Sequence, residues 1–181
     1  MDIISKLLNT VSIEFLRTAI HLAAEYGWRH IVSKLLDEVA DVNVLDGFRK
    51  TPLHYAAEYG QTKIVSDLLE RGANLNLVDT FGHRPLHYAI VNNQNNIFDT
   101  LLKGGSDPYV VDGYGQTQLH YAAMFGAKFA VSELITRGLK PNTTDKNGQT
   151  PLHCAAEMNK SKDIVVELLL RGAKHSIVDK D

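Results

Sequence analysis

Residues 51–57 read TPLHYAA, and the same word returns at a fixed distance along the chain. It is TAIHLAA at 18–24, RPLHYAI at 84–90, TQLHYAA at 117–123 and TPLHCAA at 150–156. The five histidines inside it, His21, His54, His87, His120 and His153, stand 33 residues apart. A second word follows in each copy: IVSKLL at 31–36, IVSDLL at 64–69, IFDTLL at 97–102, AVSELI at 130–135 and IVVELL at 164–169. The last of these comes one residue late, so an extra residue falls in the turn near 159–162. A third word closes the unit, as Arg71-Gly72-Ala73, Gly104-Gly105-Ser106, Arg137-Gly138-Leu139 and Arg171-Gly172-Ala173. Self-similarity at such a period marks a repeat architecture.

Each word has a mechanical reading. The leading Thr can cap a helix with its hydroxyl, and Pro beside it suits a first helical turn. Leu and Ala then form an apolar stripe at helical spacing, with Ala small enough for close helix contact. Gly27, Gly60 and Gly126 end this first helix at a position that wants positive φ. The IVxxLL word predicts a second amphipathic helix, ended by Gly72, Gly105, Gly138 and Gly172. A short extended piece such as Asn76-Leu77-Val78-Asp79 leads into a turn and the next copy. One such unit cannot bury its apolar face alone, whereas stacked units share a continuous core.

The period and the words T-P-L-H-x-A-A and L-L-x-x-G-A resemble the ankyrin repeat. The resemblance spans roughly residues 13–181. It implies an all-α repeat solenoid of antiparallel helix pairs, β-hairpin loops projecting at right angles, and a concave face that binds proteins. We expect a single domain over 1–181, with an N-terminal half repeat at 1–12 and repeats at 13–45, 46–78, 79–111, 112–144 and 145–181. The half repeat is read from IISKLL at 3–8, which nearly duplicates IVSKLL at 31–36 and sits too close to it for a full unit. The final helix is rich in Val and Leu where a terminal cap is polar. That composition predicts a longer natural chain or another cover for this face.

The departures are informative. Val39 occupies the helix-ending Gly position of the first repeat, and a β-branched residue resists positive φ. Arg84 replaces the capping Thr of the third repeat and offers no acceptor. Asn92-Asn93 replaces the residue–Gly step there, and Asn tolerates left-handed geometry less well than Gly. Gln118 replaces the helix-start Pro of the fourth. The third repeat is therefore expected to be the least stable.

The chemistry of catalysis is not visible. No phosphate-loop, zinc-protease, paired-cysteine or nucleophile-elbow motif occurs. Gly113-Tyr114-Gly115 reads as a hairpin tip. Five periodic histidines invite a metal, but stacked helices lie ~8–10 Å apart, while zinc holds nitrogen at about 2.0–2.1 Å. The resemblance gives these histidines a structural role, bonding backbone between repeats. Neither catalytic residue, metal nor cofactor is expected. Cys154, the sole cysteine, lacks a positioned base and reads as packed core. A net charge of −2 with scattered basic residues argues against nucleic acid and anionic membrane. No apolar run reaches the length of a membrane span. One cysteine and no recognisable secretory signal point to an intracellular, cytoplasmic setting, with nuclear or host-delivered placement compatible. Asn142-Thr143-Thr144 and Asn159-Lys160-Ser161 then read as chance glycosylation triplets. LDEVADVN at 36–43 is similar to the ankyrin sequence whose last Asn can be hydroxylated, which makes Asn43 a modification candidate beside its plain reading as a loop residue.

The resemblance also places the partner contact on hairpin tips and outer first-helix positions. The tips carry Phe48, Phe81, Tyr114 and Asn147. The helix positions carry Glu25-Tyr26, Glu58-Tyr59, Val91-Asn92, Met124-Phe125 and Glu157-Met158. An apolar stripe of this kind resembles an interface core. The expected contact set is Phe48, Lys50, Tyr59, Phe81, Val91, Tyr114, Met124, Phe125 and Met158, with Glu25, Glu58 and Lys50 as a polar rim. The opposing reading is that Tyr26, Tyr59 and Phe125 fold back as packing. Trp28 is assigned to the convex side. The function expected is a protein–protein interaction module, an adaptor, scaffold or inhibitor that is monomeric alone. The alternative is a non-catalytic recruiting or regulatory arm of a larger enzyme or channel chain.

Overall fold

The computed structural model describes residues 13–38, 41–157 and 162–177. The half repeat at 1–12, Val39, Met158 and the extra residue near 159–161 lie outside them. Ten helices appear among the described residues, in five pairs. They are α1 Ile13–Glu25 with α2 Arg29–Glu38, α3 Pro52–Glu58 with α4 Thr62–Glu70, α5 Pro85–Val91 with α6 Asn95–Lys103, α7 Gln118–Met124 with α8 Lys128–Thr136, and α9 Pro151–Glu157 with α10 Lys162–Leu170. Each first helix packs on the next first helix, and each second helix on the next second helix. The result is an all-helical repeat fold.

The core forms where the periodic apolar residues meet. Leu53, Leu86 and Leu119 are buried, as are the paired small residues Ala56-Ala57 and Ala122-Ala123 and, in the third unit, Ala89-Ile90. Ile64, Leu68, Ile97, Leu101, Val131, Leu134, Ile164 and Leu168 complete it from the second helices. Small residues let the first helices approach closely. Each buried Leu or Ile contributes about 1.5–3 kcal/mol relative to exposure.

The histidines tie the units together. Thr51 donates its N–H to His54 Nδ1 at 3.0 Å, and its hydroxyl lies 2.8 Å from the same atom. Because Nδ1 accepts, the ring proton sits on Nε2, which faces the His83 carbonyl of the next unit at 3.2 Å. His120 repeats this, with Thr117 N–H at 3.0 Å and the Gln149 carbonyl at 3.1 Å. His21 Nε2 reaches the Val44 and Lys50 carbonyls at 3.1 and 3.0 Å. His153 Nδ1 accepts the Thr150 N–H at 3.0 Å. His87 differs. Its Nδ1 accepts the Arg84 N–H at 2.9 Å, but its Nε2 meets the buried side chain of Gln118, whose amide nitrogen is 2.9 Å away. Gln118 Oε1 is meanwhile buried without a partner. Exchanging the two amide positions lets that oxygen accept the Nε2 proton. The residue that replaced Pro in the fourth repeat thus takes the place of a backbone carbonyl.

Between units the chain makes tight turns rather than strands. Asp46, Asp79, Asp112 and Asp145 each donate a backbone N–H to the carbonyl four residues on. Each Asp Oδ1 accepts two backbone N–H groups in its own loop. The expected β-hairpins are therefore turns held by side chains. Among the described residues the one isolated bridge joins Val111 and Thr117. Adjacent loops are joined by Thr80 N–H to the Phe48 carbonyl at 2.9 Å and Lys146 N–H to the Tyr114 carbonyl at 3.0 Å.

Three turn positions demand positive φ, and Gly72, Gly105, Gly138 and Gly172 fill the one that ends the second helix. At the helix–helix turn, Gly27, Gly60 and Gly126 lie at φ 76, 76 and 72, and Asn93 takes the same place at φ 53. At the loop tip, Gly82, Gly115 and Gly148 lie at φ 81, 80 and 85, and Arg49 stands there at φ 61. The side chain of Arg49 costs roughly 1–2 kcal/mol in this conformation.

The third unit carries its departures visibly. Arg84 turns its guanidinium to Asn76 Oδ1 at 2.9 Å and supplies no acceptor to the start of α5. Replacing Arg84 by Thr and Asn93 by Gly is expected to raise stability by about 1–2 kcal/mol in urea unfolding. It should also slow amide exchange in residues 85–102. Equal exchange in the third unit and its neighbours before substitution refutes the weakness of this unit.

Burial pushes the His54 pKa down to about 4 and that of His87 to about 3. In the unfolded chain both protonate near 6.5. Between these values the unfolded state binds more protons, so stability falls as pH drops below about 6.5. Each histidine should contribute a slope of up to about 1.4 kcal/mol per pH unit. Urea unfolding at pH 6.5 and pH 5 measures the slope, and His54→Gln should flatten it by one histidine's share. An unchanged slope in that variant rules out His54 as a source.

Candidate functional site

The loops lie against the first helices, and side chains fasten them there. Tyr55 donates its hydroxyl to Asp46 Oδ2 at 2.7 Å, Tyr88 to Asp79 Oδ2 at 2.6 Å, and Tyr121 to Asp112 Oδ2 at 2.8 Å. Burial, reinforced by the bound carboxylates, raises the pKa of all three phenols. Burial works against the charged form of Asp79, yet bonds from Tyr88 and from the His83 and Phe81 amides hold its pKa below the usual carboxylate range. Cys154 takes the tyrosine position in α9, and burial pushes its thiol up to about 11. A thiol held so firmly protonated is a poor nucleophile.

The last loop residue inserts between successive tyrosines. Lys50 Nζ lies 4.1 Å from the Tyr88 ring centre and 5.1 Å from that of Tyr55, and pairs with Glu58 Oε2 at 2.7 Å. His83 takes the equivalent place against Tyr88 and Tyr121, with Nε2 2.8 Å from the Tyr121 hydroxyl. Since Tyr121 spends its proton on Asp112, His83 is the donor in that bond. Lys50 and Glu58, expected as an outer rim, therefore clamp the loop to α3. The Lys50 side chain is 14% exposed and that of Glu58 26%.

Of the expected contact residues, the structure exposes the loop tips most. Phe48, Phe81 and Tyr114 are 61, 65 and 72% exposed. Tyr59 is 49% exposed on the adjoining helix surface. Val91 and Phe125 are instead half-buried and packed on the core, and Met124 is half-buried. Phe125 stacks parallel to Tyr121 with centroids 6.5 Å apart. Tyr26 stacks on Trp28 at 5.4 Å, which brings the two rings together at the turn between α1 and α2. Tyr109 and Val111, 59 and 57% exposed, extend the apolar surface under the third loop and were missed. The tyrosine and aspartate columns were also missed, although both recur at the 33-residue period.

Two asparagines are structural bridges. Asn43 Oδ1 accepts the Asn74 N–H of the next unit at 2.7 Å from a turn ahead of the loop tip. Asn142 accepts the Lys174 N–H at 2.8 Å and donates to the Gly172 carbonyl at 2.9 Å. On the outer side, Arg29 grips Asp67 through two bonds of 2.6 and 2.7 Å, and Arg71 bonds Asp37 and Ser33. Among the described residues no group of three or more His, Cys, Asp or Glu converges as a metal site. None of the described helices is long and apolar enough to cross a membrane.

A family model described as ankyrin repeats (3 copies) matches residues 1–79, 20–112 and 86–179. A comparison with curated proteins gives no match.

Proposed function

Because the chain belongs to the ankyrin-repeat family, whose repeats are generally non-catalytic protein–protein interaction modules, we propose that it captures a partner protein across its loop tips and first-helix face. The observation that carries this is the exposure of Phe48, Phe81 and Tyr114 at equivalent positions of three successive loops. Beyond the contact of Phe81 with His83 at 6.1 Å, no ring contact joins them to the stack among the described residues, and a folded monomer gains nothing by presenting them to water. Aromatic anchors of this kind dominate interfaces when they are desolvated. Tyr59 widens the strip. The bonds from Tyr55 and Tyr88 to the loops hold it rigid, which lowers the ordering cost of binding. An adaptor, scaffold or inhibitor acting inside the cell fits such a surface and the single buried cysteine.

A second reading, a recruiting arm within a larger chain, draws support from α10. Val166 and Leu170 are 52 and 78% exposed, where the other four copies place Ser or Asp and Asp, Glu, Lys or Thr. An apolar outer edge confined to one unit suits a contact with another domain.

Affinity capture with mass spectrometry, comparing the wild type with the Phe81→Ala/Tyr114→Ala double variant, identifies partners that depend on the strip. Against such a partner each single variant is expected to weaken binding by about 2 kcal/mol or more. Glu70→Ala and Lys103→Ala on the second helices should leave binding within threefold. Circular dichroism confirms the fold of each variant. Normal binding by both aromatic variants, with loss in the second-helix variants, refutes the assignment.

A further inference from the structure

The loop tips share one turn. Arg49, Gly82, Gly115 and Gly148 each donate a backbone N–H to the carbonyl of the loop aspartate, at 3.0 to 3.1 Å. Three of the four loops fill the left-handed position with glycine, while the first carries Arg49 at φ 61. Stability alone selects glycine here. Nothing in the fold repays the arginine. Arg49 is exposed, and its guanidinium makes no hydrogen bond or ion pair with any described residue. It directly follows Phe48, the exposed ring at the first tip.

The charges around it are already committed. The loop aspartates Asp46, Asp79, Asp112 and Asp145 turn inward to their own backbone amides. The ammonium of Lys50 is paired with Glu58, and Arg84 is turned to Asn76. Beside the aromatic row, Arg49 therefore remains as an uncommitted cation with a planar fork that suits a carboxylate.

We propose that Arg49 is a specificity residue that reads a carboxylate on the partner, so that the partner presents an Asp or Glu beside large apolar residues. The apolar residues lie on Phe48 and Phe81, and the acid reaches the Arg49 guanidinium. This rests on the binding face argued above and supplies the chemistry of its partner. A backbone position strained for the sake of a functional side chain accounts for the arginine, because a surface contact of that kind appears only in the complex.

The test is selection of a random displayed peptide library on the immobilised protein. Binding of the selected peptide to variants is then measured by calorimetry. Enrichment of Asp or Glu next to aromatic or aliphatic residues is expected. Arg49→Gly should raise the melting temperature and weaken the peptide by about tenfold or more. Replacing the peptide's acid by its amide should cost a similar factor in the wild type and little in Arg49→Gly. The proposal is overturned by a selection that enriches no acid, or by an acid-to-amide loss that is equal in both backgrounds. The Phe81→Ala/Tyr114→Ala variant separates the two readings. Full binding by it with loss in Arg49→Gly defeats the aromatic strip but keeps the acid contact. Loss by it with none in Arg49→Gly keeps the strip and defeats the acid contact.

Discussion

The stack depends on one side chain that bonds in two directions. In His54 and His120, Nδ1 accepts the N–H at the start of its own helix, and Nε2 donates to a carbonyl in the loop of the next unit. A neutral imidazole with its proton on Nε2 does both at once. Burial keeps it neutral by raising the cost of the charged form. The repeat can therefore fix the start of a helix and its distance from the neighbouring loop with a single residue. The third unit shows how far this can bend. With Arg84 in place of Thr and Gln118 in place of Pro, the ring keeps its first bond and exchanges its second for a side chain.

A second column depends on the first. Once the loop is set against the helix, the tyrosine one position after the histidine reaches the loop aspartate, whose other oxygen organises the turn. Asp79, Asp112 and Asp145 are buried and Asp46 is half-buried, so the tips project aromatic rings with their loop carboxylates turned inward. Lys50 and His83 fill the gaps between tyrosine rings, which makes the face dense and rigid. Where Cys154 replaces tyrosine this bond has no counterpart, and the fifth unit differs chemically from the middle three.

Architecture and the exposed tips are consequently carried by different residues of the same repeat. Periodic Thr, His, Leu, Ala and Tyr build the stack, and the side chains at the tips stay largely exposed. Phe48, Phe81 and Tyr114 sit on turns already closed by aspartate. A tip can change its side chain without disturbing the core, which is why one scaffold can present many surfaces. Arg49 goes further, since it stands in a left-handed conformation that the other three loops give to glycine.

The fold was legible because its information is one-dimensional. A period of 33, a capping word, an apolar stripe and a helix-ending glycine or Asn93 are local signals, and each unit repeats them. The exposed tips were legible for the same reason, being turn residues with no apolar neighbour in sequence. The sequence read alone did not show that Lys50, Val91, Met124 and Phe125 are half-buried, since that depends on which side chains of their own and neighbouring units lie against them. Lys50 sinks because Tyr88 lies 38 residues further on, and Phe125 because its helix turns it onto Tyr121. That helical units stack, and where their turns fall, can be read along the chain, since propensity and periodicity act within a few residues. Which surface side chains are committed to the stack and which remain available emerges only in the folded chain, because burial is a property of what packs beside a residue, whether from its own repeat or the next.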